Sequence, residues 1–202
     1  MTTDAQINTF LRSLKLDHAI TAPRVGKHYG INEKTLDDLE QAGKIYSTKR
    51  DYRVSHGFRN IVPIRFICHN ARAAQRPSDT LRHLAALAEM RFQLGSPIRW
   101  RLMMLSNPQF QTVNAELPDA IWFSDGFPAA VVEFDAGSQS HAEIARKSSV
   151  YHQKSQMQIW GAPSARRAQG ILQILEQNAP NPLLRWVMVV DWIGQSEADV
   201  MV

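Results

Sequence analysis

The sequence predicts an α/β protein in which a helical segment with a β-hairpin precedes a mixed β-sheet flanked by helices. Two patterns support this fold class. Apolar residues recur at helical spacing near the amino terminus, and short apolar runs alternate with helical patterns in the second half. The 202 residues are 44% hydrophobic and 21% charged, as in ordinary globular proteins. We therefore predict two domains, residues 1–72 and 73–202.

Three short helices are predicted at the amino terminus. The first covers residues 4–16, with apolar side chains at helical spacing and an aspartate, Asp4, available as its cap. The second covers residues 22–29 and ends at a glycine. Asn32 caps the third, residues 33–41. The second and third helices together form a helix-turn-helix pattern.

The hairpin that follows is basic. Its strands begin near residue 44 and return through residues 61–67, with the tip at residues 56–59. A helix-turn-helix followed by such a hairpin predicts a winged helix, and basic side chains on the wing neutralise phosphates without reading a base sequence. The predicted DNA-contacting residues of this domain are Lys44, Lys49, Arg50, Arg53 and Arg59.

The third helix complicates DNA binding because it is acidic. Glu33, Asp37, Asp38 and Glu40 outnumber Lys34, and the phosphate backbone of a duplex repels such a surface. This favours contact through the wing. The alternative, a winged helix that docks a protein or forms a dimer, stays open.

Charge is distributed unevenly along the chain. Residues 1–110 hold 17 Lys and Arg against 9 Asp and Glu, whereas residues 111–202 hold 6 against 10. This indicates a polyanion-binding module joined to a different kind of site, although an uneven scatter of solvated charges gives the same counts. A single cysteine, Cys68, excludes an intramolecular disulfide. With no signal-peptide pattern and no apolar run of membrane-span length, we expect a soluble cytoplasmic protein without a membrane partner.

The second half alternates strands with helices. A helix over residues 80–94 leads into it, and residues 125–126 mark a turn between its second and third strands. The order of the remaining elements implies a mixed sheet flanked by helices. The predicted strands cover residues 98–105, 117–123, 129–134, 157–160 and 184–192, and the predicted helices cover residues 138–154 and 164–177.

Three carboxylates, Asp119, Glu133 and Asp135, fall at the ends of these strands. Carboxylate oxygens are the preferred ligands of hard divalent cations, so this pattern predicts a metal site and phosphodiester chemistry. The pattern also resembles the metal-binding core of the PD-(D/E)xK nuclease superfamily, which has a restriction-endonuclease-like mixed sheet. That resemblance implies magnesium or manganese at the three carboxylates if the protein is catalytically active.

The pattern departs from that superfamily at Asp135, where a lysine commonly stands and stabilises developing negative charge. Either Asp135 is an additional metal ligand, or Lys147 on the following helix supplies the missing cation in catalysis. Lys147 equally suits a surface ion pair with Glu143, four residues earlier. Tyr151, one turn beyond Lys147, is expected to contact DNA or to pack at the rim of the site.

A longer set of motifs extends over most of the chain: LEQAGKI at residues 39–45, a helix with His83, LPDA at 117–120, and EFDAGS at 133–138 with Lys147 and Tyr151 downstream. This set resembles the replication-relaxation family, which implies a role in plasmid or mobile-element replication or mobilisation. The candidate partners are double-stranded DNA, a second copy of the chain, and replication or mobilisation proteins. Three functions stay open: a DNA-binding protein without catalysis, a metal-dependent endodeoxyribonuclease, and a protein-interaction adaptor.

Overall fold

A computed structural model describes residues 2–53, 61–103, 117–124, 127–153, 157–178 and 181–194. The described residues fall into two compact units, one within Met1–Glu89 and Asp191–Val202 and the other within Met90–Val190. The predicted domains, 1–72 and 73–202, stay a prediction. The compact units group residues 73–89 and 191–194 with the amino-terminal segment.

The first unit combines helices with a three-stranded antiparallel sheet of order β1-β3-β2. Strands β2 and β3 pair from Tyr46 with Cys68 to Arg53 with Ile61. The predicted tip of this hairpin, residues 56–59, lies outside the described residues. The elements are α1 (Asp4–Asp17), β1 (Ala19–Thr21), α2 (Ala22–Tyr29), α3 (Glu33–Gln41), β2 (Tyr46–Arg53), β3 (Ile61–Cys68), α4 (Ala71–Ala74) and α5 (Ser78–Gln93).

Local signals explain the first three helices. The cap of α1 is Thr3 rather than the predicted Asp4. The Thr3 hydroxyl accepts a hydrogen bond from the backbone N–H of Gln6 at 3.3 Å, and the Oε1 of Gln6 accepts one from the backbone N–H of Thr3 at 2.8 Å. Gly30 ends α2 in the left-handed region, with φ of 66°. The side chain of Asn32 caps α3 as predicted, accepting from the backbone of Thr35 at 2.9 Å.

The second unit contains a five-stranded mixed sheet of order β4-β5-β6-β7-β8. Strands β4, β5 and β6 are antiparallel, while β6, β7 and β8 are parallel. The predicted mixed α/β class is therefore confirmed. The elements are β4 (Trp100–Leu102), β5 (Ala120–Ser124), β6 (Phe127–Phe134), α6 (His141–Gln153), β7 (Met157–Ala162), α7 (Ala165–Asn178), a short 3-10 helix (Pro182–Leu184) and β8 (Arg185–Val189).

Element boundaries differ from the predictions by a few residues. Helix α6 begins at His141 rather than residue 138, because the hydroxyl of Ser140 accepts a hydrogen bond from the backbone of Glu143 at 3.2 Å. The predicted first strand begins only at Trp100. The predicted turn at residues 125–126 and the predicted helix end at residue 154 lie outside the described residues.

The core of the second unit lies between the parallel strands and helices α6 and α7. Val131, Ile144, Trp160 and Leu175 belong to one buried cluster. Residues 130–135 are buried without interruption, as expected for a strand covered on both faces. Any ionisable side chain at the end of β6 therefore enters a region of low dielectric constant.

Candidate functional site

Glu133 is the centre of a buried cluster of polar side chains in the second unit. It lies on β6 and is fully buried. The Nζ of Lys147 lies 2.8 Å from its Oε2, and the hydroxyl of Tyr151 donates a hydrogen bond to its Oε1 at 2.5 Å. Lys147 and Tyr151 are four residues apart on α6 and so project from one helix face. Both carboxylate oxygens of Glu133 thus have partners.

Burial shifts the ionisation of this cluster. Burial, with the neighbouring Asp119 carboxylate, raises the pKa of Glu133 to about 7, against the opposing effects of Lys147 and Tyr151. Burial by itself lowers the pKa of Lys147, but the Glu133 contact outweighs it and the pKa is raised. Burial and Glu133 also raise the pKa of Tyr151. Lys147 therefore stays charged at neutral pH while Glu133 is close to its titration midpoint.

Asp119 lies directly before β5 and beside the end of β6. Its Oδ2 accepts a hydrogen bond from the backbone N–H of Phe134 at 2.8 Å. Burial raises the pKa of Asp119, and Asp135 adds to the rise, while the Phe134 bond and Lys147 oppose it. The electrostatic coupling with Glu133 and Lys147 places Asp119 in the same cluster.

Asp135 binds a different cation. It is fully buried, and the Nε of Arg167 contacts its Oδ2. Its Oδ1 accepts hydrogen bonds from the backbone N–H groups of Gly137 at 2.9 Å and Gln139 at 3.2 Å. Arg167 also donates to the carbonyl of Gln139 at 2.6 Å. Asp135 thus joins the loop after β6 to the first turn of α7.

The carboxylates do not fit the predicted three-ligand cation site. Among the residues that the structure describes, no group of three or more His, Cys, Asp or Glu is arranged to hold a metal ion. Asp135 is bound to Arg167 instead. Magnesium is commonly bound by one or two carboxylates with water completing its shell, so Asp119 and Glu133 would be the ligands of a bound cation. Such a cation would share Glu133 with Lys147 and Tyr151, which contact its two carboxylate oxygens. Their metal and catalytic roles stay predictions.

Lys147 is largely buried and pairs with Glu133. Its side chain is only 16% exposed, so a surface pair with Glu143 alone does not describe it. Its catalytic role stays a prediction.

Tyr151 does not lie at the surface of the second unit. It is 1% exposed, and its hydroxyl is directed to Glu133, so neither the predicted DNA contact nor packing at the rim agrees with its position. Arg167 was missed altogether. Its signal in the sequence is the pair Arg166 and Arg167 in the first turn of α7, where positive charge opposes the helix dipole unless a carboxylate compensates.

In the first unit, the predicted DNA-contacting residues differ in accessibility. Lys44 and Lys49 are exposed. Arg53 is the last residue of β2, and Arg59 lies outside the described residues. Lys44 and Lys49 are therefore the members of the set whose side chains the structure shows open to solvent.

Arg50 is partly committed to the fold. Its guanidinium donates to the hydroxyl of Thr48 at 2.5 Å and to the carbonyls of Lys49 at 2.9 Å and Ala74 at 3.3 Å. Adjacent residues of a strand point to opposite faces, so Lys49 and Arg50 do not form one continuous basic surface. The contact with Ala74 places Arg50 on the face of the sheet beside α4.

The acidic face of α3 is bound by one arginine. The arginine is Arg65, on β3. Its Nη1 lies 2.6 Å from the Oε2 of Glu33 and 2.8 Å from the Oδ1 of Asp37, and its Nη2 lies 2.8 Å from the Oε2 of Glu40. Positions i, i+4 and i+7 share one helix face, which explains how a single guanidinium contacts all three carboxylates. Much of the negative charge that the sequence places on α3 is thus directed towards β3.

Comparison with known proteins gives one match. The family described as replication-relaxation matches residues 1–171, which include the basic hairpin and every member of the two carboxylate clusters. No curated protein and no solved structure matches the chain. Among the described residues, no helix is both long and apolar enough to cross a membrane.

Proposed function

Since this chain belongs to the replication-relaxation family, which suggests a role in replication or mobilisation, we propose that it binds duplex DNA during plasmid or mobile-element replication or mobilisation. The observation that carries the proposal is the exposure of two lysines in the first unit, Lys49 on β2 and Lys44 two residues before that strand. Such lysines neutralise backbone phosphates, so the proposed binding depends little on base sequence.

The proposed DNA-binding element is a winged helix. Helices α2 and α3, joined around Gly30, form its helix-turn-helix, and β2 with β3 form its wing. This order of elements agrees with the winged-helix arrangement, and the positive charge lies on the wing rather than on α3.

Arg65 supports this proposal by reducing the repulsion between α3 and DNA. Three of the four acidic side chains of the helix, Glu33, Asp37 and Glu40, bind its guanidinium. One positive charge does not cancel three negative charges, so α3 still favours contact led by the wing. Docking of a protein on this helix is the competing adaptor function.

Fluorescence anisotropy of the full chain with a labelled duplex tests the proposal. Replacing Lys44 and Lys49 by alanine is expected to weaken binding at low salt about tenfold or more, since each phosphate contact contributes to affinity. The matched control replaces Arg12 and Lys15, two exposed basic residues of α1, and removes the same charge. Equal affinities of the two variants would contradict contact through the wing, and no binding by the unaltered chain would favour the adaptor.

A second candidate function, a magnesium- or manganese-dependent endonuclease with a PD-(D/E)xK-like core, is supported by the position of Lys147. Lys147 lies on α6 and contacts Glu133, 14 residues earlier in the sequence. Its positive charge would replace that of the lysine that commonly stands where this chain has Asp135. A bound metal would supply charge stabilisation and an activated water. Asp119 and Glu133 would hold it, while Lys147 would remain beside the same carboxylate.

Thermal unfolding measured with manganese tests whether the site binds a metal, as this second function requires. Binding to the folded chain raises Tm by mass action. Asp119→Asn is expected to reduce that rise, and Lys147→Met to preserve it but abolish cleavage of duplex DNA. Asp135→Asn is expected to have no direct effect on metal binding if Arg167 remains the partner of residue 135. For every variant, the Tm with manganese is compared with the Tm of the same variant in chelator. No Tm shift and no calorimetric heat at millimolar manganese would exclude this second function.

A further inference from the structure

A cluster of imidazole and guanidinium groups lies in the first unit. The rings of His18 and His69 meet edge to face with centroids 4.3 Å apart. The two residues flank the pairing of β1 with β3, and the backbone N–H of His69 donates to the carbonyl of His18 at 3.3 Å. The pair is therefore fixed by the sheet, and both side chains are half-buried.

Arg76 adds a donor that lacks a partner. Its Nε is buried and has no hydrogen-bond partner in the described part of the chain. A buried donor that is left unsatisfied destabilises the fold, so a ligand that accepts its hydrogen bond is favoured. Arg76 follows α4 by two residues, and α4 begins just after His69.

The charges around His18 favour an anionic ligand over a cationic one. Burial, then His69 and Arg76, lower the pKa of His18 to about 4. Asp17, the neighbouring acid on α1, is buried and accepts a hydrogen bond from Ser13 at 3.3 Å. Arg50 lies near α4 as well and acts on the thiol of Cys68. A divalent cation is repelled by these arginines, whereas an oxyanion would pair with Arg76 and with a protonated His18.

We propose that His18, His69 and Arg76 form a binding site for a phosphate group of the DNA backbone. The assignment to DNA rests on the proposed function, while the anion site itself rests on the ring pair and the unpartnered guanidinium nitrogen. Arg76 binds the phosphate through its unpartnered Nε, and His18 binds it as a proton-dependent donor. His69 positions the His18 ring, since its own Nδ1 and Nε2 contact the carbonyl of His18 at 3.4 Å and the side-chain amide of Asn70 at 2.6 Å. DNA affinity through this site rises as pH falls, because an anion stabilises the protonated ring of His18.

NMR of the full chain, with the ring signals of His18 and His69 assigned, tests the site. Inorganic phosphate and then a short duplex are titrated at fixed ionic strength. Both ligands are expected to shift the His18 titration midpoint upwards, and duplex affinity is expected to rise about tenfold from pH 8 to pH 5.5. Arg76→Gln should remove most of that rise. Arg72→Gln, which removes the same charge at an exposed position of α4, should retain it.

The outcomes distinguish the site from the DNA-binding proposal. Duplex binding that leaves the ring signals unchanged overturns the phosphate site and leaves the proposed function intact. A phosphate-induced shift without duplex binding overturns the assignment to DNA together with the proposed function. Zinc binding to the two rings, or equal losses in the two arginine variants, overturns the anion site. Circular dichroism confirms that each variant is folded.

Discussion

The Nζ of Lys147 lies 2.8 Å from the Oε2 of Glu133, although 14 residues separate them. Two residues after Glu133, just past the end of β6, Asp135 binds Arg167. Each of these two acids thus has a cation from a different helix, Lys147 from α6 and Arg167 from α7. This pairing explains how two carboxylates only two residues apart are both buried at the end of β6.

We predict that Lys147→Met destabilises the chain by about 3 kcal/mol at pH 8, the cost typical of removing one member of a buried ion pair. The loss is smaller at pH 5, where Glu133 is protonated and needs no counter-charge. Urea unfolding at the two pH values measures this. Glu143→Gln is the control and should lower the free energy of unfolding far less. An equal loss in this variant would indicate that Glu143 is the important partner of Lys147.

Glu133 should titrate near pH 7 in carboxyl-detected NMR. Tyr151→Phe is expected to raise the midpoint further, because the lost hydroxyl stabilises the ionised carboxylate. A midpoint close to the ordinary value of 4.5 in the unaltered chain would show that burial does not control this side chain.

The same shift makes folding stability depend on pH. The pKa of Glu133 is about 7 in the folded chain against an ordinary 4.5, so between these values the folded chain holds a proton that the unfolded chain has released. The stabilisation that Glu133 gives to the folded chain through this proton is complete below pH 4.5 and is lost as pH rises through 7. The unfolding free energy of the unaltered chain relative to Glu133→Gln should therefore fall across this window. A flat difference would contradict the raised pKa.

Asp135 and Arg167 should be strongly coupled in a double-mutant cycle. Asp135→Asn and Arg167→Gln each leave a buried charge without its partner, so their separate losses should sum to more than the loss in the double variant. Unfolding free energies of the four proteins give the coupling. Arg166→Gln, the exposed neighbour on α7, is the control. Additive losses would show that the two side chains act independently.

Local patterns predicted most of the elements, because caps and glycines act within a few residues. Helix α3 has the predicted bounds, and the mixed sheet follows from the order of strands and helices. Strand β1 was missed, since three residues carry too little periodicity to stand out from a loop. Its existence depends on pairing with β3, which is distant in the sequence.

The candidate site was predictable in its acids but not in its partners. Asp119, Glu133 and Asp135 stand out as polar residues beside apolar runs. Which cation binds which acid depends on how α6 and α7 pack on the sheet, and local spacing equally allowed Lys147 to pair with Glu143. That packing also gave Tyr151 a buried position. In the first unit, the packing of α3 beside β3 directed three acids of α3 to Arg65, which local spacing could not show either.

The salt dependence of duplex binding by the full chain tests the central claim most directly. If the chain binds DNA through phosphates, log K falls linearly with log salt concentration, with a slope of about 0.9 for each phosphate neutralised, and the slope becomes shallower by roughly 2 in the Lys44→Ala, Lys49→Ala double variant. Titrations of one duplex from low to physiological salt give the slope. Absence of binding at the lowest salt, or an affinity that does not change with salt, would contradict the account.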